Sequence, residues 1–255
     1  MVNALKYLYV GAVYLVLYAP LLVTICFSFN DSVSADAWFG FTVKWYERLF
    51  ADKSLINSAL RSLFLAASTA TTSTVVGTII AIALHRYRFI GQKVVYGSLS
   101  VIMLSPEIIQ GISLVMIFVI LGIPLGFSTL LLSHTVFCFP FVTITVLVRL
   151  KGVNRNLAEA GADLGASDVD IVRFILIPLI LPAVFAGWLM SFTLSIDDVI
   201  ISFFVGGKNY EILPMKIYSM VRTGIQPDVN ALCAALFFAT FAVVMLSYRL
   251  VRNRK

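Results

Sequence analysis

The chain has 255 residues, of which 60% are hydrophobic and 13% charged, with a formal net charge of +6 and a mean hydropathy of +0.96. Soluble domains carry roughly 25% charged residues, so this composition excludes a water-soluble globular protein and assigns most of the surface to lipid. The basic excess lies between apolar stretches, where membrane topology accounts for it, and this removes nucleic acid as a partner.

Six segments reach the length of ~20 largely apolar residues that a membrane helix needs: 8–29, 58–84, 95–121, 125–148, 179–204 and 229–248. Their length, and the lack of period-2 alternation, favour helices over membrane strands of ~10 residues. The expectation is an all-α membrane protein with six transmembrane helices in one polytopic domain, 1–255. The first segment, Leu8 to Phe29, exceeds the roughly 7–15-residue core of a cleaved leader and reads as a retained span, although Val33-Ser34-Ala35 faintly resembles a cleavage site. The second carries Ser68-Thr69-Ala70-Thr71-Thr72-Ser73-Thr74 ahead of Gly77, Ala81 and Ala83. Small residues and hydroxyls of this kind suit a tightly packed interior helix. Cys26, Cys138 and Cys233 stand singly in apolar runs and read as small buried hydrophobes.

Alternating the span ends from a cytoplasmic N-terminus puts twelve of the nineteen basic residues inside, among them Arg86, Arg88, Lys93, Arg149, Lys151, Arg155 and the tail Arg249, Arg252, Arg254 and Lys255. That excess predicts that both termini are cytoplasmic. Two connections stand out by length. The outer one, 30–57, holds Asp31, Asp36, Glu47 and Asp52 with Trp38, Phe39, Phe41, Trp45 and Tyr46. Most of these aromatics read as an interfacial belt. Trp45 has two readings: an interfacial anchor, or a face for an ammonium ion, worth about 0.5–2 kcal/mol.

The inner connection, 149–178, contains Asn156-Leu157-Ala158-Glu159-Ala160-Gly161-Ala162-Asp163-Leu164-Gly165-Ala166-Ser167, followed by Ile175-Leu176-Ile177-Pro178. The first stretch predicts a short helix that Gly165 ends in a left-handed conformation. Ser167 then caps a second short helix, with Asp168 and Asp170 in its first turn. Glu159, Ala160, Gly165 and Pro178 match the Glu-Ala-Ala loop of the inner-membrane permeases of ABC importers, which this chain therefore resembles; Gly161 stands where the second alanine is usual, at a local helix cost of about 0.8–1.0 kcal/mol. The resemblance implies the type I ABC importer permease fold with a cytoplasmic coupling loop, in which Leu157, Glu159, Ala160, Ala162, Leu164, Gly165 and Ala166 dock on an ATPase.

The similarity runs along essentially the whole chain. Phe41-Thr42-x-Lys44-Trp45-Tyr46, Leu84-x-Arg86-Tyr87-Arg88-Phe89, Ser105-Pro106-Glu107, Ser133-His134-x-x-Phe137-Cys138, Ser191 to Asp198 and Tyr210-Glu211-Ile212-Leu213-Pro214 look like the permeases of spermidine/putrescine importers. In that pattern an aspartate follows Ser-Pro, whereas this chain has Glu107, one methylene longer. The resemblance implies uptake of polyamines across the bacterial inner membrane, a related permease subunit, an ATPase dimer that holds ATP and Mg, and a periplasmic polyamine-binding protein. It places the pore-bearing core at 58–248, with the first span outside it.

Ten of the thirteen acids fall in aqueous segments; Glu107, Asp197 and Asp198 fall in spans. A lone ionised carboxylate at the bilayer centre costs at least ~2.5–3.5 kcal/mol on insertion scales, and no Lys or Arg lies at a span centre to pair with it. A cationic cargo would supply the missing charge. Ser191, Ser195, Asp198 and Ser202 share one face of a continuous helix and read as the wall of a wet path, while Asp197 points about 100° away. Glu107, Asp197, Asp198, Ser195 and Trp45 are the candidate pathway residues; hydrogen-bonded structural acids are the alternative. His85 and His134 read as satisfied helix-end histidines without a second ligand, and no metal site is expected.

The chain carries no Gly-x-x-x-x-Gly-Lys-[Ser/Thr] cradle, so ATP hydrolysis belongs to another chain. An intramembrane aspartyl protease needs two aspartates facing each other from separate helices, and adjacent Asp197 and Asp198 diverge. A stand-alone channel leaves the Glu159–Gly165 loop without a purpose. The expected role is therefore a non-catalytic permease subunit without a cofactor of its own.

Overall fold

A backbone in lipid must satisfy its own amides and carbonyls, which leaves helices as the form for apolar runs of this length. The structure, a computed structural model, describes residues 2–32, 37–154, 156–222 and 227–252. Val33-Ser34-Ala35, Asp36, Arg155, Arg254 and Lys255 lie outside the described residues. The elements are α1 (Val2–Phe27), α2 (Lys44–Ala51), α3 (Lys53–Arg86), α4 (Gln92–Leu104), α5 (Glu107–Ile120), α6 (Phe127–Lys151), α7 (Asn156–Asp163), α8 (Asp168–Asp170), a π-helical turn (Ile171–Leu176), α9 (Ile177–Asp197), α10 (Ile200–Val205), α11 (Leu213–Arg222) and α12 (Pro227–Arg252).

Among the described residues, four helices are long and apolar enough to cross a membrane: Lys6–Phe27, Lys53–Arg86, Phe127–Lys151 and Asp168–Asp197. The α4–α5 pair makes a fifth if it is counted as one crossing. In α12 the described apolar stretch is Asp228–Phe238.

The expected third span, 95–121, is not one helix. It breaks between Leu104 and Glu107, where α4 and α5 meet at 111°. Pro106 has no N–H to donate and pushes Ser105 out of the helical region, to φ −72° and ψ 135°. The side-chain amide of Gln110 donates to the carbonyls of Ile102 (2.8 Å) and Ser105 (3.1 Å), satisfying backbone acceptors at the end of α4.

The expected fifth span, 179–204, also differs at both ends. The predicted second short helix is no separate element: Ser167 caps α8, with Asp170 returning the bond to the Ser167 amide, and the chain runs on through the π turn into α9. Pro178 cannot join the i→i−4 ladder, and just before it Ile177 N–H bonds five residues back, to Val172. At the far end the helix stops at Asp197. Asp198 is extended, with ψ 124°, and α10 starts at Ile200.

Residues 58–215 form one compact unit, and 1–57 with 216–255 form another. In the larger unit α6 is the central element. It packs along α9 and touches α4, α5 and α10. Val142, Val146 and Leu150 are fully buried on one stretch of it, against Ala81, Leu99 and Ile180; Leu130 and Cys138 are buried with Leu65, Ile201 and Val205. The hydroxyl-rich α3 packs as its composition predicts: Thr72 and Thr135 hydroxyls meet at 2.8 Å, and a Cβ added at Gly77 would stand 2.9 Å from the Phe139 carbonyl. In the smaller unit α12 packs on α1 and α2, and Val229, Leu232, Trp45 and Leu49 are buried.

Candidate functional site

The two helix breaks lie side by side because α5 packs on α10. A Cβ added at Gly111 would stand 2.7 Å from Phe204 Cδ2 and 3.4 Å from Ile201 Cα, so this glycine permits the approach. Glu107, the first residue of α5, and Asp197, the last of α9, thereby reach one cavity of about 320 Å³, lined also by Phe137, Thr193 and Ile200. Asp198 contributes to the same wall. Among the described residues that line it, none is basic. Non-helical backbone at membrane depth is tolerated where it is buried in protein or lines a wet cavity, and at the α9–α10 break Asp198 and Val199 line this one.

The adjacent aspartates have different surroundings. Asp197 is exposed, whereas Asp198 is 7% exposed. The Asp198 carboxylate accepts from the amides of Ile201 (3.2 Å) and Ser202 (2.8 Å) and from the Ser202 hydroxyl (2.8 Å). Ser202 belongs to the first turn of α10, whose orphan amides need acceptors. Asp198 is thus a buried acid satisfied from within, contrary to the expectation that it lacks a partner until cargo arrives. The single polar stripe predicted from Ser191 to Ser202 is also corrected, because the helix does not continue through Asp198 and because Ser191, Ser195 and Ser202 are all buried.

His134 is the residue that sequence reasoning misplaced. It is not at a helix end. It lies inside α6, 1% exposed, with Nδ1 2.8 Å from Ser195 Oγ and Nε2 2.9 Å from Ser202 Oγ. Since the Ser202 hydroxyl donates to Asp198, it accepts from His134 Nε2–H, and in a neutral imidazole Nδ1 then accepts from the Ser195 hydroxyl. Donors therefore run in one direction, Ser195 to His134 to Ser202 to Asp198. The only signal in the sequence was a histidine in an apolar run, with serines on a distant segment.

Trp45 belongs to the smaller unit and is enclosed within it. It is 3% exposed, its indole N–H donates to the Asn30 carbonyl at 2.7 Å, and its ring already has Lys44 at 4.6 Å and Arg48 at 5.2 Å from the centroid. The connection before α3 folds around it: Asn30 bridges to Phe41, and Lys44 pairs with Asp31. Trp38, Phe39 and Phe41 stay exposed, as a belt would.

At the other end of α9, α7 carries Glu159, Ala160 and Ala162 exposed and Leu157 46% exposed, and Leu164, just after it, is 90% exposed. Gly165 follows with φ +83°, the left-handed turn that favours glycine, and Ala166 packs partly against the buried cluster of α6 and α9. Gly161 is buried, and a Cβ added there would meet Ile175 Cδ1 at 2.8 Å, so its smallness lets α7 sit on the π turn. Arg86 at the end of α3 pairs with Asp168. From Asp168 to Asp197 the thirty helical residues span about 45 Å at ~1.5 Å each, so α7 and the acidic cavity lie near opposite ends of one rod. Among the described residues no group of three metal-ligating side chains converges.

A family model described as binding-protein-dependent transport system inner membrane component matches residues 73–254. The chain is 47% identical over 249 residues to the spermidine/putrescine transport system permease protein PotC of Haemophilus influenzae, covering 98% of this chain and 97% of that one. It is 49% identical over 246 residues to the protein of the same name from Escherichia coli K12, covering 96% and 93%. A bacterial ABC transporter involved in import of the acidic polysaccharide alginate contains a chain of the same fold, at a TM-score of 0.75 with 16% identity, covering 98% of this chain and 95% of that one. Matched by the family model over most of its length and nearly half identical from end to end to two transport permeases, this chain belongs to the family of binding-protein-dependent transport system inner membrane components.

Proposed function

We propose that this chain is a permease subunit of an ABC importer that carries polyamines, spermidine or putrescine, into the bacterial cytoplasm. The observation that carries the reading is the cavity in which Glu107 and Asp197 converge without a basic residue among the described ones that line it. Two carboxylates spaced along an apolar wall suit a chain of ammonium groups joined by methylenes: the charges pair with the acids, and the carbons lie against Phe137 and Ile200. The names of the two relatives support the same substrate class.

The complete reading has six spans, with α12 as the sixth, both termini cytoplasmic, and a pore-bearing core within 58–248. Residues 149–178 form the coupling loop, and 156–170 receive an ATPase dimer that binds ATP and Mg. A related permease completes the pore, and a periplasmic polyamine-binding protein delivers cargo. What supports the coupling role is the exposure of Leu157 on α7 and of Leu164 just after it, with α7 packed on the π turn that leads into α9. Movement of α7 is then passed along α9 to the break that bears Asp197. The chain itself performs no chemistry.

The test is ATP hydrolysis by the complete importer in liposomes, screened against polyamines, sugars and anions with the binding protein present. Stimulation by spermidine or putrescine is expected. Stimulation by a sugar or an anion in their place overturns the assignment of cargo.

A further inference from the structure

The break between α9 and α10 has no proline to make it. A helix leaves its ladder at such a point only if other groups satisfy the freed backbone and hold the ends in place. Here one side chain from another helix spans the gap. His134 of α6 holds Ser195, in the last turn of α9, and Ser202, in the first turn of α10, at 2.8 and 2.9 Å. Asp198, between them, is drawn inward onto the amides of Ile201 and Ser202, with its carboxylate 3.4 Å from His134 Nε2. All four members are buried. With Asp198 held in the wall, its neighbour Asp197 is the exposed member of the pair, beside Glu107.

We infer that His134 is a positioning residue: by clamping Ser195 to Ser202 it fixes the α9–α10 break so that Asp198 serves the fold and Asp197 serves the cargo. The two adjacent acids then divide their roles, and specificity for a cation lies with Asp197 and Glu107. The Asp198 carboxylate already has three donors and needs no ammonium. The assignment of cargo rests on the function proposed above; the clamp does not.

Two experiments separate these parts. In the assembled importer, with Cys26, Cys138 and Cys233 replaced by alanine, Asp197→Cys and Thr193→Cys are exposed separately to a charged methanethiosulfonate reagent. Thr193 lines the same cavity from within α9, one turn before the break. His134→Ala is expected to slow labelling at position 197 by about tenfold, an energy of ~1.4 kcal/mol, and to leave position 193 unchanged; His134→Gln restores much of the rate. Unchanged labelling at 197 overturns the clamp. Loss at both positions also overturns it, because His134 would then be a general fold determinant.

The second experiment measures uptake kinetics with spermidine. Asp197→Asn is expected to raise KM about tenfold, whereas Asp198→Asn lowers the maximal rate and keeps KM within about twofold. The reverse pattern overturns the division of roles. An importer that carries no polyamine at all refutes the proposed cargo, and the labelling result still decides the clamp.

Discussion

The two breaks beside the acidic cavity look alike in outline and differ in origin. The α4–α5 break is made locally. Pro106 removes a donor, Ser105 turns extended, and Gln110, four residues on, closes the exposed carbonyls. The α9–α10 break is made at a distance, by a histidine sixty-one residues before Ser195 and a carboxylate that turns back on the amides following it. At the α4–α5 break the missing N–H and the ring clash belong to Pro106 itself, although Pro140 and Pro182 sit inside continuous helices. A break held by hydrogen bonds lasts only while its clamp is in place. One cavity thus has a wall at Glu107 set by neighbouring residues and a wall at Asp197 that depends on the packing of α6.

The sharpest way to break this comparison is His134→Ala. It removes two buried hydrogen bonds and leaves a void in α6, an expected loss of about 2–4 kcal/mol. Thermal unfolding of the detergent-solubilised complex reads the loss, and hydrogen exchange should quicken at Ile201 and Ser202 and not at Ile109. Equal exchange at both breaks would show that they share one origin. Gly111→Ala is next. Its Cβ would stand 2.7 Å from Phe204 Cδ2, and overpacking of this kind costs about 1–3 kcal/mol. It should disturb α5 and α10 together, as their contact requires, and the same exchange measurement reads it.

Gln110→Leu is expected to cost about 1 kcal/mol, because it removes the bonds to Ile102 and Ser105 while Pro106 keeps the chain bent. Protection of α10 should not change. The smallest effect belongs to Gly161→Ala, remote from both breaks. Helix propensity gains about 1 kcal/mol, and the new methyl group displaces only the end of the Ile175 side chain. Stability should stay within about 0.5 kcal/mol of the parent; a larger loss in thermal unfolding would show that the fit of α7 on the π turn is tighter than the flexible isoleucine suggests.

Much of the fold was readable because its signals are local. Gly165 as a left-handed stop and Ser167 as a cap need only neighbouring residues, and both appear as expected. Pro106 was visible too, yet an apolar run counted for length reads through a single proline, so the third span was drawn straight. The fifth span was drawn along the wrong stretch for a related reason. Hydrophobic length does not register the polar start at Asp168, nor the end at Asp197. Trp45 was legible only in part: a tryptophan in the 30–57 connection has the composition of an interface anchor, and its burial, with the indole N–H on the Asn30 carbonyl beside the Asn30–Phe41 bridge, appears only in the fold.

The candidate acids were found from burial cost alone, but their roles were not. Three carboxylates in apolar sequence mark a site, since hydrocarbon penalises each of them. Which of the two adjacent aspartates is exposed and which is buried depends on where the helix stops.

Composition, span length, basic asymmetry and the Glu159–Gly165 motif are properties of residues and their near neighbours, and the chain by itself determined from them a helical membrane permease with three acids in apolar segments. The meeting of α5 with α10, the grip of His134 on Ser195 and Ser202, and the inward turn of Asp198 arise between segments far apart in sequence. Hydrogen bonds of that range exist only after packing has brought their donors and acceptors together, and so the tertiary structure alone decided which aspartate of the pair is exposed at the cavity and which is buried in its wall.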